Sequence, residues 1–270
     1  QRGHRNPDKP QSPVVILYDN DVHCAVEGYA AMAALKKEMA GKTPYVATVS
    51  CGDFAQGEIV GTLTEGEAII EIMNEVEYDF VALGNHEFDF GMEQHLNLTQ
   101  KLNSQVLCAN FTSIPTNKGI YRPYGIKKYG ETDIAFIGIA TPATATSVSP
   151  KTFHDSEGNI IYSFQPKTLF VKVQQIVDEV RRKGADYVVV LSHLGDSKEG
   201  EDPTSLELIA NTAGIDAVLD GHSHSTIPCD RILNKDGEEV VLSSSGYCFQ
   251  NIGVLTLSTE GGFSARLVET

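Results

Sequence analysis

Five short segments of the chain carry side chains of the kinds that bind metal ions in hydrolytic enzymes. They are Asp21-Val22-His23, Gly52-Asp53, Gly84-Asn85-His86-Glu87, Ser192-His193 and Gly221-His222-Ser223-His224. Carboxylate and amide oxygens and imidazole nitrogens together suit divalent transition metals, and a pair of such ions can activate water for hydrolysis. Each segment follows a short apolar run typical of a β-strand, so the loops are expected to meet at one end of a sheet. The pattern predicts a binuclear hydrolytic site.

The segment from Gly84 to Asp89 is the most specific of the five. Asn85 offers a neutral carbonyl oxygen to a metal. His86 is predicted to reach a phosphoryl oxygen or a leaving group, and Asp89, three residues later, is placed to orient the imidazole. The alternative is an ordinary helix start in which Asn85 is the N-cap.

The remaining segments are ambiguous when each is taken alone. Asp21 and His23 can turn toward one ion, or they can form a polar turn. Asp53 follows a glycine, which is common turn chemistry, but a single carboxylate there suits the bridge between two ions. His193 alone is more typical of a hydrogen-bonded histidine at a strand end. The order of all the segments together favours the metal site.

The two histidines of Gly221-His222-Ser223-His224 alternate along an extended segment, so His222 and His224 can serve two different ions. The alternative is a pair of solvated surface histidines. Three further histidines lie outside any such context and are interpreted as non-functional: His4, His95 and His154.

Strands and helices alternate along most of the chain, which predicts the α/β class. Strands are predicted at 14–18, 45–49, 80–83, 106–109, 134–139, 187–191, 217–219, 240–242, 253–257 and 263–268, and helices at 29–40, 67–76, 92–102, 169–183 and 205–211. The stretches 141–149 and 152–163 are long, polar and aperiodic, as lids or binding loops often are. Residues 1–12 are predicted to be a flexible lead-in, and residues 13–270 one domain.

The composition excludes some classes of partner. A formal net charge of −15 argues against a broad basic surface for a nucleic-acid polymer, whereas a small phosphorylated substrate remains compatible with it. No apolar run approaches the roughly 20 residues of a membrane helix. The five cysteines include no paired motif that would fix the compartment, and nothing in the sequence indicates the oligomeric state.

Taken in order, the five segments resemble the calcineurin-like metallophosphoesterase superfamily, whose pattern runs D-x-H, G-D, G-N-H-(D/E), H and G-H-x-H. The segments Tyr18–His23, Gly52–Gly57, Gly84–Gly91 and Asp220–His224 look most like the 5′-nucleotidase family within it. The resemblance covers roughly residues 14–257. It implies a four-layer α/β/β/α metallophosphoesterase sandwich with two mixed sheets.

The resemblance also implies the roles of the site residues. Asp21, His23, Asp53 and His224 would bind one metal, while Asp53, Asn85, His193 and His222 would bind the other. His86 and Asp89 become the catalytic pair. The ions are expected about 3.5–4 Å apart. Their identity stays open among zinc, manganese, iron and cobalt, because oxygen and imidazole ligands suit all four.

The function predicted from these residues is metal-dependent phosphoester hydrolysis, most closely that of a 5′-nucleotidase, in which a metal-bridging hydroxide attacks phosphorus. The alternatives are a cyclic-nucleotide phosphodiesterase, a UDP-sugar hydrolase and, more distantly, a non-catalytic metal-binding domain. The resemblance implies a small nucleotide substrate and export to the periplasm or exterior. No substrate-binding residue is predicted.

The chain departs from the family pattern in three ways. The first motif has Tyr18-Asp19 and Cys24, where the family usually starts with His-Thr and ends in Gly. Cys24 and Cys51 place a thiol beside each of the first two motifs, which predicts sensitivity to oxidation or soft metals. Family members typically continue into a C-terminal domain that supplies aromatic rings for the nucleobase, and this chain stops at Thr270. It is therefore expected to be either a catalytic domain alone or a minimal form, with little preference among bases.

Overall fold

The computed structural model describes residues 7–23 and 25–270. The strands of this part are β1 Val14–Asp19, β2 Tyr45–Ser50, β3 Phe80–Val81, β4 Gln105–Val106, β5 Thr112–Ser113, β6 Lys118–Gly119, β7 Tyr124–Tyr129, β8 Thr132–Ile139, β9 Tyr162–Ser163, β10 Tyr187–Ser192, β11 Ala217–Leu219, β12 Thr226–Leu233, β13 Glu239–Ser245, β14 Asn251–Leu257 and β15 Phe263–Glu269. The helices are α1 Glu27–Ala40, α2 Ile59–Thr64, α3 Glu67–Val76, α4 Gly91–Lys101, α5 Thr144–Ser147, α6 Leu169–Arg182 and α7 Ser205–Asn211, with 3₁₀ turns at Asn85–Phe88 and Pro150–Phe153.

Two mixed six-stranded sheets form the centre of the described chain. The first has the order β15-β14-β1-β2-β3-β4, with β1 to β4 parallel and β14 and β15 antiparallel. The second has the order β12-β13-β11-β10-β8-β7, with antiparallel strands at both edges. The strands that precede the predicted ligand loops are parallel neighbours in each sheet, so their carboxyl ends lie along one edge.

The sheets pack face to face, and helices cover their outer faces. On β1, Val14, Ile16 and Tyr18 contact the second sheet, whereas Val15 and Leu17 contact the helices, as the two-residue period of a strand requires. Helices α1, α3 and α4 pack on the first sheet, and α6 and α7 on the second. The predicted four-layer α/β/β/α sandwich is confirmed.

Several elements were not predicted from the sequence, and α2 and β12 show why. Helix α2 is only six residues long, and its Ile59 and Leu63 side chains are exposed, so no apolar face marks it. Strand β12 lies at an edge, contains Pro228 and has an irregular register between Ile227 and Asp230. Both lack the periodicity on which a prediction depends.

The aperiodic stretch 141–163 is anchored rather than free. It contains α5, a 3₁₀ turn and β9, which pairs with β5 in a small three-stranded sheet. Beneath this sheet lies the aromatic cluster, which we define as Phe88, Phe111, Phe153 and Phe164. Because Phe153 is buried there, the stretch is held to the domain by apolar packing.

The predicted lead-in 1–12 lies partly outside the described residues, which begin at residue 7. From there the chain is fixed by tertiary contacts. The Asp8 amide donates to Asp186 Oδ1 at 3.0 Å, Thr132 Oγ1 donates to the Asp8 carbonyl at 2.8 Å, and Pro10 is buried. Asp8 is therefore held by partners distant in sequence. Within the described ranges, none of the helices has the length and apolar character needed to cross a bilayer.

Candidate metal centre and active site

The predicted ligand loops follow β1, β2, β3, β10 and β11 and converge at one edge of the two sheets. Ligand atoms lie within 4.8 Å of one another in three overlapping groups: Asp21 with His23 and His224, Asp21 with Asp53 and His193, and His23 with Asp53 and His86. Since the groups share Asp21, His23 and Asp53, they form one continuous cluster. Its donors are carboxylate oxygens and imidazole nitrogens, which suit divalent transition metals.

Asp53 has one carboxylate oxygen engaged and the other facing the histidines. Its Oδ1 accepts the His86 amide at 2.9 Å. Its Oδ2 lies 3.0 Å from His193 Nε2 and 3.9 Å from His23 Nε2. One oxygen therefore faces ligands from both sheets, as a bridging carboxylate must.

The two carboxylate oxygens of Asp21 also differ in their contacts. Its Oδ2 accepts the Asn20 side-chain amide at 2.7 Å and the His222 backbone amide at 2.9 Å. Its Oδ1 is buried without a hydrogen-bond partner among the described residues and lies 3.5 Å from His224 Nε2. Fixing one oxygen on backbone and amide donors leaves the other oriented for a metal.

Backbone carbonyls fix the tautomer of two ligand histidines. His193 Nδ1 lies 2.7 Å from the Cys51 carbonyl, and His23 Nδ1 lies 3.2 Å from the Gln56 carbonyl. A carbonyl oxygen only accepts, so each Nδ1 carries a proton and each Nε2 is the atom left for a metal. This is the arrangement that orients histidine ligands in metalloproteins.

Asn85 begins a 3₁₀ turn, and Gly84 is its N-cap residue, so the alternative that Asn85 is the cap does not hold. The Asn85 Oδ1 atom is buried and, like Asp21 Oδ1 and His193 Nε2, makes no hydrogen bond to the described residues. An unsatisfied buried polar atom costs about 1–3 kcal/mol. Such atoms at three predicted ligand positions fit bound divalent metals, which would satisfy them.

His222 lies farther from the other ligand atoms than the histidines of the three close groups. Its ring lies 5.4 Å from that of His193, but it belongs to none of the three close groups. Its Nε2 is 3.9 Å from Glu199 Oε2, a contact that no sequence pattern indicated. Its ring therefore lies beside the cluster through His193.

The backbone at the ligand loops is strained. Five of the predicted ligands have left-handed φ angles between 47° and 77°: Asp21, His23, Asp53, His222 and His224. Such conformations cost non-glycine residues about 1–3 kcal/mol each and concentrate at functional sites. Polar turns or solvated histidines would not require this repeated cost, so the strain favours the metal-site interpretation over those alternatives.

Glu87 ties two ligand loops together, a role that the sequence interpretation missed. Its carboxylate accepts backbone amides from Gly84 at 2.6 Å, Asp53 at 2.8 Å, Phe54 at 2.6 Å and Ala55 at 3.1 Å. Burial and the nearby Asp53 raise the pKa of Glu87 to about 7. The available signal was a glutamate three residues after the N-cap of a turn, where a side chain reaches back to free amides.

Gly84 permits the close approach of these loops. A Cβ atom at this position would collide with the Asp53 backbone and carboxylate. The position of the Asp53 side chain therefore requires a glycine at residue 84.

The charged groups polarise one another. Burial lowers the pKa of His193, but the Asp53 and Asp21 carboxylates outweigh burial and raise that pKa to about 10. Burial likewise raises the pKa of Asp53, and the imidazolium of His193 lowers it well below its usual range. The protonated His193 ring is thus stabilised between the Asp53 and Asp21 carboxylates. A divalent metal bound there would replace the proton of that ring.

His86 lies beside the ligands and is paired with Asp89. Its Nδ1 is 2.7 Å from Asp89 Oδ2, and this hydrogen bond raises the pKa of His86 to about 9. The side chain is partly exposed, so the protonated ring can face a substrate. The predicted catalytic pair is brought together, although the closeness of His86 to His23 and Asp53 also permits a ligand role.

Other predicted features lie away from this chemistry. His95 is buried beside the aromatic cluster, and His154 lies near the surface turn at Pro150. The Cys51 side chain lies in the core between the sheets, and burial raises the pKa of its thiol, so the expected sensitivity does not apply there. Cys24 and His4 lie outside the described residues.

Comparison with known proteins decides the family. The family model described as calcineurin-like phosphoesterase matches residues 15–226. The chain belongs to this family. Members of the family use divalent metals, in agreement with the ligand cluster.

Individual relatives are similar over most of this chain. A 5′-nucleotidase of Bos taurus is 28% identical over 235 residues, which cover 78% of this chain and 38% of the relative. A 2′,3′-cyclic-nucleotide 2′-phosphodiesterase/3′-nucleotidase of Haemophilus influenzae is 26% identical over 259 residues, which cover 85% and 38%. The chain thus spans well under half the length of these curated relatives.

The fold is shared with solved structures of the family. The crystal structure of a 5′-nucleotidase precursor from Thermus thermophilus superposes with a TM-score of 0.77 at 24% identity. The superposition covers 96% of this chain and 54% of that one. This likeness establishes the architecture.

Proposed function

We propose that the chain is a metal-dependent phosphoester hydrolase of the 5′-nucleotidase type. The observation that carries the proposal is the ligand cluster beside His86, in which the buried atoms Asp21 Oδ1, Asn85 Oδ1 and His193 Nε2 make no hydrogen bond to a described residue. Two divalent ions would be held by Asp21, His23, Asp53, Asn85, His193, His222 and His224, with Asp53 shared.

When bound, the ions would activate water and offset negative charge on phosphoryl oxygens. The residues of the chain supply the rest. Asp89 accepts a hydrogen bond from His86 Nδ1–H, which keeps the imidazole protonated and sets its plane. His86 Nε2 then donates to the phosphoryl group or to the leaving oxygen, which stabilises the charge that develops there.

A second candidate is phosphodiesterase activity on cyclic nucleotides. The similarity to the Haemophilus influenzae protein favours it, since that relative is named for both a 2′-phosphodiesterase and a 3′-nucleotidase. UDP-sugar hydrolysis and metal binding without catalysis are the further alternatives. Export of the chain and the identity of the ions remain predictions.

A metal analysis and a substrate panel test the proposal together. The protein, reconstituted separately with zinc, manganese and cobalt, should hold two ions per chain. It should hydrolyse an aryl phosphate, AMP and UMP, with little preference between the two bases. Faster hydrolysis of 2′,3′-cyclic AMP or UDP-glucose would assign the alternative specificity. Two bound ions without hydrolysis of any panel member would assign a binding domain instead.

A further inference from the structure

The ligand histidines differ in what holds their rings. His193 and His23 are each fixed by a hydrogen bond from Nδ1 to a backbone carbonyl. His224 has no such hydrogen bond to a described residue, and its side chain is 43% exposed. Its Nε2 lies 3.3 Å from His23 Nε2, so it faces the cluster from the solvent side. An exposed ring without a carbonyl partner needs another contact to fix its plane.

Tyr247 makes that contact. Its ring stacks on His224 with centroids 4.9 Å apart and planes only 8° from parallel. It also meets the edge of the His23 ring at 6.5 Å. Tyr247 belongs to none of the five sequence motifs, and it is itself 41% exposed. Its position against two ligand histidines is therefore not explained by burial in a core.

The turn that carries Tyr247 is strained and tied down on both sides. Cys248 and Phe249 have consecutive left-handed φ angles of 52° and 53°. The Cys248 amide donates to the Asp21 carbonyl at 2.8 Å, and the Asn20 side-chain amide donates to the Gly246 carbonyl at 2.9 Å. Two adjacent residues in this conformation persist only where surrounding contacts require it.

Packing beneath the turn supplies the second anchor. The Phe249 ring is buried edge-on against Tyr29 of α1, with centroids 4.9 Å apart. Gly28 leaves the space for it, since a Cβ atom there would overlap the Phe249 ring. The turn is thus held by the helix on one side and by the Asp21 loop on the other, which fixes the backbone from which the Tyr247 ring extends to His224.

We propose that Tyr247 is a positioning residue for the metal centre, which holds the imidazole of His224 in its ligating orientation by stacking. The inference rests on the proposed metal site and extends it to a residue outside the family motifs. Partners that orient metal ligands typically contribute about 10–100-fold in metal affinity. The stack requires the aromatic ring and makes no use of the hydroxyl.

Cobalt titration tests this without relying on turnover. Metal-free parent, Tyr247→Ala and Tyr247→Phe proteins are titrated with Co²⁺, with absorption spectra and bound metal followed together. Tyr247→Ala should bind one of two ions about 10–100-fold more weakly. Tyr247→Phe should bind both as the parent does. Tyr124→Ala, which removes a half-buried tyrosine from the edge strand β7, serves as the matched control.

The outcomes separate this inference from the proposed function. A parent protein that binds no Co²⁺ would overturn both. Parent-like binding of two ions by Tyr247→Ala would overturn only the positioning role, and a raised KM for an aryl phosphate in that variant would then assign the ring to substrate contact. Equal loss of one ion in Tyr247→Phe would also overturn it, because the hydroxyl would be the active group.

Discussion

His193 and His95 are both buried, but His193 faces carboxylates whereas His95 packs among neutral aromatic rings. His193 Nε2 faces Asp53 and Asp21, and these carboxylates raise its pKa to about 10. His95 stacks on Phe88 with centroids 3.9 Å apart, and burial lowers its pKa to about 4. The same side chain is therefore a stabilised cation in one place and a neutral ring in the other.

The two regions also differ in how completely their polar atoms are satisfied. His95 Nδ1 bonds to the Glu87 carbonyl at 3.1 Å, and its Nε2 bonds to the Tyr121 hydroxyl at 2.6 Å. In the metal centre, His193 Nε2 makes no hydrogen bond to the described residues. Since native proteins rarely leave such atoms unpaired, the contrast separates a structural histidine from one prepared for a ligand.

The largest expected effect comes from removing the bridging carboxylate. In Asp53→Ala, the cation stabilised at His193 loses its nearest counter-charge and the cluster loses the oxygen that faces both sheets. Metal content should fall below one ion per chain, and kcat/KM for an aryl phosphate should fall by roughly 10³-fold or more. Glu71→Ala, which removes an exposed carboxylate from α3, should change neither. Full metal content in Asp53→Ala would show that Asp53 is not the bridge.

His86→Ala tests whether every site histidine is a ligand. We expect both ions to remain and kcat to fall by about 10²–10⁴-fold, because the variant loses proton donation rather than metal binding. Metal content by atomic emission and kcat are measured on the same sample. If one ion were lost, the proximity of His86 to His23 and Asp53 would have to be interpreted as coordination.

The smallest expected effect concerns His95 and the stability of the metal-free protein. Its folded pKa is about 4, below the ordinary value of about 6.5 for an unfolded histidine. Between these values only the unfolded state binds the proton, so the free energy of unfolding falls as the pH falls. From pH 7.5 to 5.0 the contribution lost is about 2 kcal/mol.

Urea denaturation of the parent and of His95→Gln at pH 7.5 and 5.0 measures this loss in the free energy of unfolding. The glutamine does not titrate, so the variant should lose about 2 kcal/mol less than the parent over that interval. An equal loss in both proteins would mean that another group causes the acid sensitivity.

Much of the architecture was predictable because burial leaves a periodic signature. The alternation of Val14, Ile16 and Tyr18 and the apolar runs at 187–191 and 217–219 fix strands that fill the core. The ligand loops were predictable because loops at the carboxyl ends of parallel strands meet at one edge, and the structure brings Asp21, Asp53 and His193 together there.

The contacts that the sequence did not predict share a physical reason. Each of them joins residues that are far apart in the chain. Glu87 accepts backbone amides 32–34 residues away. Nearly every residue type has a backbone amide, so the sequence does not mark these partners. Tyr247 reaches His224 only because two sheets and a strained turn place it there. The contacts of Asp8 could not be predicted because its partners Thr132 and Asp186 are more than a hundred residues distant.

The Glu87 carboxylate has a consequence for local opening of the molecule. One buried side chain accepts the amides of Gly84, Asp53, Phe54 and Ala55, so loss of that carboxylate removes hydrogen bonds from both loops at once. The two loops thus form a single cooperative unit. In hydrogen–deuterium exchange, these four amides should exchange together at one rate, and replacement of Glu87 by glutamine should release them as a group.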